Sequence, residues 1–257
     1  VSDATLAFER YVGAIGEAAA LLAGRAADAG LDAPVPTCPR WTVADLVAHQ
    51  GMVHRWAAGN LVGDDTGVPS KTDILHSIPA DRLIAWFLDG AAELVATLGA
   101  TPPDVAAMVF LKDAPAPRQF WARRQAHETT IHAADAVAAA LGRMPSADDV
   151  NVPRDIAVDG IDELLTGFFT RGRSKLAEDK PFTVKVSARD ADAAWTLYVA
   201  DERIRTERTA VQDADATFTG AAAQLYLGLW NRGEEITAQG RADVLDRWRK
   251  VQRIRWS

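Results

Sequence analysis

Residues 119–141 read QFWARRQAHETTIHAADAVAAAL. The stretch predicts one long helix that ends at Gly142. At about 100° per residue, Trp121, Arg124, Gln125, Glu128, His132 and Asp135 fall in a stripe roughly 100° wide. Phe120, Ile131 and Ala134 lie beside it on an apolar flank. Glu128 and His132 are four residues apart, so they stack on one side, where a carboxylate and an imidazole can reach a single ion. A polar stripe is equally the pattern of a solvated helix face, and periodicity leaves both readings open.

Working outward, three more helices precede this one. Thr5 to Asp28 is rich in Ala, Leu and Glu and gives way at Gly30. Pro34, Pro36 and Pro39 break the chain, and Thr42 then caps a helix to about Gly59, with Asp45 as its capping-box partner. A polar loop covers Gly63 to Thr72, and a further helix runs from about Pro79 to Gly99. Four long helices predict a four-helix bundle over residues 1–145.

On the second of these helices Leu46, His49, Val53 and Trp56 share an apolar side, which points His49 inward beside Trp56. His49 with Glu128 and His132 makes a set of two histidines and one carboxylate. Three protein ligands leave a coordination position open, as catalytic sites do. A hydrogen-bonded core histidine is the other reading of His49. His127-Glu128 suggests the zinc-protease motif, but His132 comes one residue too late for it, about 140° around the helix from His127. His54 and His76 read as ordinary residues.

Beyond Gly142 the character changes. Pro145 to Pro153 reads as a linker, followed by a helix from about Arg154 to Thr170. Phe182-Val184-Val186 and Trp195-Leu197-Val199 alternate with more polar or smaller residues. With Ile204-Arg205 and Ala216 to Thr219 they predict a small antiparallel sheet. Helices over Ala221–Trp230 and Ala242–Ile254 close an α+β domain spanning residues 146–257.

A net charge of −7 argues against nucleic acid or an anionic membrane surface as partner. The basic stretch from Arg241 to Arg255, followed by Trp256, carries Val244, Leu245, Trp248 and Val251 at helical spacing and reads as a packed helix. The single cysteine, Cys38, excludes an intramolecular disulfide. With no signal-peptide pattern and no uninterrupted apolar stretch near the length of a membrane span, the expectation is a cytoplasmic protein.

Cys38-Pro39-Arg40-Trp41-Thr42-Val43 with Asp45-Leu46 and His49 resembles the opening motif of the mycothiol-dependent maleylpyruvate isomerases. Phe120-Trp121-Ala122-Arg123-Arg124, then His127-Glu128 and His132, resembles their second motif. Ala157-Val158-Asp159-Gly160-Ile161-Asp162-Glu163 and Leu229-Trp230-Asn231-Arg232 resemble segments of their C-terminal domain. The resemblance implies a DinB-like four-helix bundle followed by a sterol-carrier-protein-like α+β domain. It implies one divalent, zinc-like ion on His49, Glu128 and His132, mycothiol as cosubstrate, and a small-molecule substrate. Arg124 and Gln125 are candidates for orienting a substrate carboxylate and Asp135 for supporting a ligand, each equally readable as a bundle salt bridge or a solvated residue. Arg232 is a candidate for contacting the thiol, its other reading being a surface cation at a helix end. The implied reactions are cis–trans isomerisation of a maleylpyruvate-like substrate or transfer of the thiol. A non-catalytic metal-binding or regulatory protein, and a metal-dependent hydrolase, are the competing readings. Monomer and homodimer are both compatible with the sequence.

Overall fold

The computed structural model describes residues 6–64, 66–111, 114–178, 180–241 and 243–252. Among these, the chain forms two compact units, one of residues 6–110 with 114–145, the other of Leu111 with 146–252. The expected helix limits at Thr5, Ala242 and Ile254, and Trp256, lie outside the described residues.

The first unit is the helical bundle: α1 (Phe8–Ala29), α2 (Val43–Val62), a short α3 (Lys71–Ser77), α4 (Leu83–Ala100) and α5 (Pro117–Leu141). Local chemistry sets the ends. Thr42 and Asp45 form a reciprocal capping box at the start of α2, and Pro117 opens α5, where its missing N–H costs nothing. Gly142 ends α5 in the left-handed region at φ 66°, which glycine adopts without strain. Helix α3 begins inside the segment expected to be a loop, started by a second capping box of Ser70 and Asp73. Helix α4, with the turn before it, is long and apolar enough to cross a membrane by composition, but its Leu83, Phe87, Ala91, Leu94 and Leu98 are buried.

Helix α5 packs chiefly on α1 and also on α2. From Phe120 to Ala139 every residue except Arg123 is buried. The polar stripe is therefore an interior one, and the solvated-face reading fails. Alanine at so many positions lets neighbouring helices approach α5 closely and surround it.

The second unit contains α6 (Ala147–Val150), α7 (Arg154–Asp162) and a π-helical turn over Glu163–Phe168. Five strands follow: β1 (Phe182–Ala188), β2 (Ala194–Ala200), β3 (Arg203–Glu207), β4 (Ala216–Gly220) and β5 (Thr237–Gly240). Helices α8 (Ala222–Leu229) and α9 (Asp243–Val251) complete it. The strand order is β3-β2-β1-β4-β5. The expected antiparallel sheet is corrected to a mixed one. After the β1-β2-β3 meander the chain crosses to the free edge of β1, and β4 pairs there in parallel, Val186 opposite Phe218. Val184, Val186, Leu197, Phe218, Tyr226 and Trp248 are buried in this unit.

Candidate metal centre

Helices α2 and α5 run antiparallel, with His49 meeting His132 at one level and Trp56 meeting Trp121 at another. This brings the three predicted ligands together. One ligand atom from each of His49, Glu128 and His132 lies within 4.8 Å of the other two, and all three residues are buried. Glu128 Oε1 is 3.3 Å from His132 Nε2 and 3.9 Å from His49 Nε2.

The environment gives each ligand a distinct state. His49 Nε2 is buried and makes no hydrogen bond. Burial, reinforced by the charge of His132, lowers the pKa of His49 against the pull of Glu128 and leaves a neutral ring with a free lone pair. Burial pushes the Glu128 carboxyl up, but the two histidines and Arg124 outweigh it and hold the group well below the usual carboxylate range. For His132, burial works against the charge. Asp135 at 2.8 Å from Nδ1, together with Glu128, prevails and raises its pKa to about 9.

A buried imidazole nitrogen without a hydrogen bond, 3.9 Å from an ionised carboxylate, is costly in a structural core. It is what a divalent cation requires. The donor set fits a borderline ion such as zinc.

Further residues hold this set. Arg124, a candidate for orienting a substrate carboxylate, places its guanidinium on Glu128 Oε2 at 2.9 Å, and the side chain is 1% exposed. Asp135 accepts from the Thr37 hydroxyl at 2.5 Å and the Cys38 thiol at 3.5 Å while holding His132. Trp41 covers the site, its ring 4.8 Å from His49 and stacked 5.9 Å from His132. Trp56 was expected beside His49 and is not the aromatic neighbour found there. The loop before α2 folds back through Val35 N–H to Trp41 O and Trp41 N–H to Cys38 O, which swings Trp41 onto the histidines. Trp56, two turns along α2, meets Phe110 and Trp121.

His54, read as ordinary, is fully buried against Phe87 in a network with Gln50 and Thr129. Burial, then the charge of Arg55, pushes its pKa down to about 3. The network ties α2 to α5 one residue away from both His49 and Glu128. No local sequence signal marks it, because it exists only once the two helices are paired. His127 is buried edge-on to Tyr11. Arg232 belongs to the other unit, past α8, where its guanidinium donates to Trp230 O and its backbone N–H to Leu227 O.

Two histidines and a carboxylate, converging between antiparallel helices with ordered partners behind them, define a class: helical-bundle proteins with a candidate three-ligand metal centre. The comparisons with known proteins narrow it. Residues 12–137 match the family model for the mycothiol maleylpyruvate isomerase N-terminal domain, and residues 155–247 match the model for the C-terminal domain of the same family. The chain belongs to the mycothiol-dependent maleylpyruvate isomerase family. Among solved structures it is similar to a mycothiol-dependent maleylpyruvate isomerase at 15% identity and TM-score 0.61, covering 91% of this chain and 93% of the other. A histidine-to-alanine mutant described under the same enzyme name matches at 15% identity and TM-score 0.59, with the same coverage. At that identity the likeness is one of fold. No curated protein matches the chain.

Proposed function

We propose that the chain is a metal- and mycothiol-dependent isomerase acting on a maleylpyruvate-like substrate. The convergence of His49, Glu128 and His132, with His49 Nε2 buried and without a hydrogen bond, is the observation that carries the reading. A zinc-like ion bound there supplies a Lewis-acid position that favours the thiolate of a thiol cosubstrate.

The chain's own residues do the rest. Arg124 fixes Glu128 and balances its charge. Asp135 sets the ring orientation of His132 and accepts its Nδ1 proton in hydrogen bonding, leaving Nε2 for the site. Trp41 covers both histidine rings and excludes water from one side. The thiolate adds to one carbon of the conjugated cis double bond, and the electron pair moves into the adjoining carbonyl system. The former double bond rotates, and its electrons return to expel the thiolate, leaving the trans isomer with no net gain or loss of atoms. Arg124 and Asp135 are positioning residues in this account.

Metal content is the first test. Protein purified without added metal is expected to carry about one zinc-like ion per chain, lost in His132→Ala. Mycothiol-dependent cis–trans turnover by the loaded protein then supports the isomerase. A thioether product selects transfer of the thiol, and turnover without thiol selects hydrolysis. Metal-free wild type that cannot be loaded overturns the reading.

A further inference from the structure

Gln125 sits on the interior face of α5 between two features already described. On the helix it lies about 60° from Glu128 and about 20° from His132, one turn on the N-terminal side of Glu128. Thr129 on one flank of this face meets Gln50 and His54 of α2, and Trp121 one turn below meets Trp56. Gln125 therefore points at α2, between the ligand triad and the aromatic cluster of Trp56, Phe110 and Trp121.

The side chain is 1% exposed, and its Oε1 is buried without a hydrogen-bond partner. Its backbone carbonyl accepts from Thr129 Oγ1. Gln50 across the interface also has a buried Oε1 without a hydrogen-bond partner, but its Nε2 meets both His54 and Thr129 and so ties the two helices together. A buried carboxamide oxygen that ties nothing together lowers stability, and leucine or methionine would fill similar space without that cost. A polar group kept in such a place beside a binding centre is explained by a ligand that completes it.

The ligand's chemistry follows from the group. A carboxylate substrate offers only acceptors and cannot satisfy Oε1. An amide supplies the N–H that Oε1 lacks in this orientation. Thiols derived from cysteine carry an amide nitrogen three bonds from sulfur, which suits a group one helical turn from a sulfur-binding centre. We propose that Gln125 recognises an amide of the thiol cosubstrate, an inference that rests on the thiol-dependent reading above.

The test uses cobalt-loaded full-length protein, whose sulfur-to-cobalt absorption reports thiol binding directly. The probes are N-acetylcysteine, which bears the amide, and ethanethiol, which does not. In Gln125→Leu and Gln125→Met the affinity for N-acetylcysteine should fall about tenfold or more, with ethanethiol unchanged and cobalt still bound one per chain. The metal-free variants should melt higher than wild type by roughly 2–4 °C, the opposite of what loss of a structural hydrogen bond would do. Equal loss of both thiols, loss of neither, or a lower melting temperature in both variants overturns the assignment. If wild-type cobalt protein binds neither thiol, the thiol-dependent reading itself falls and takes this inference with it.

Discussion

Asp135 is fully buried and collects donors from three places, the Thr37 hydroxyl, the Cys38 thiol and the His132 ring. Its charge has a measurable consequence through His132. In the metal-free protein His132 keeps its second proton up to about pH 9, so a metal ion must displace that proton to bind Nε2. Apparent zinc affinity should therefore climb about tenfold per pH unit from neutrality and level off above about 9. In Asp135→Asn the break should move to lower pH, and affinity on the plateau should drop about 10–100-fold. Competition titrations with a chromophoric chelator across this range check both effects, and an unshifted break in the variant would remove Asp135 from the account. The sign for metal-free stability is the reverse. A histidine pKa raised above its unfolded value of 6.5 stabilises fully below 6.5, and that contribution disappears as pH rises through about 9. Urea denaturation of metal-free wild type should show the decline, and Asp135→Asn should flatten it.

Helix α2 carries His49 and must lie close to α4 to present it. Gly51 is where they touch: a methyl group there would overlap the indole of Trp86, which Arg55 covers at 3.9 Å while donating to its carbonyl. Gly51→Ala should cost about 1–3 kcal/mol by overpacking, seen in chemical denaturation. It should also loosen metal binding, because α2 can relieve the overlap only by moving His49. Unchanged stability would mean that Trp86 yields instead. The elements differ in how far they could be read in advance. Helix α5 was legible because its Glu128-His132 spacing survives whatever surrounds it. The convergence of His49, Glu128 and His132 was legible because each half of the set lies on a periodic helix. Helix α3 was not, since its seven residues give only a capping box and no sustained period. The parallel pairing of β4 was not, because alternation identifies a strand but not its neighbour. Trp41 was visible as part of a motif, but its place over the histidines depends on a loop folding back across Val35 and Cys38. The Gln50-His54-Thr129 network was hidden for a related reason: residues at unrelated sequence positions become partners only through helix pairing.

At the scale of the whole chain, all three candidate metal ligands belong to the unit of residues 6–110 and 114–145, and none to the unit that holds the sheet. Binding to the native state stabilises whatever must unfold to destroy the site. At a free metal concentration about 100 times Kd this amounts to about 2.7 kcal/mol. The unit that holds the ligands should receive it directly. Hydrogen exchange followed by mass spectrometry, with and without zinc, should show amides of α2 and α5 slowing by up to about 100-fold, the factor that this energy corresponds to. Amides of β1 and β2 should exchange at the same rate in both states if the sheet unfolds independently. Slowing of the sheet in step with the bundle would mean that the two units open as one cooperative block. His132→Ala separates metal linkage from any general effect of added salt: in that variant zinc should leave both sets of amides unchanged, because the energy enters only through the ligands that α2 and α5 supply.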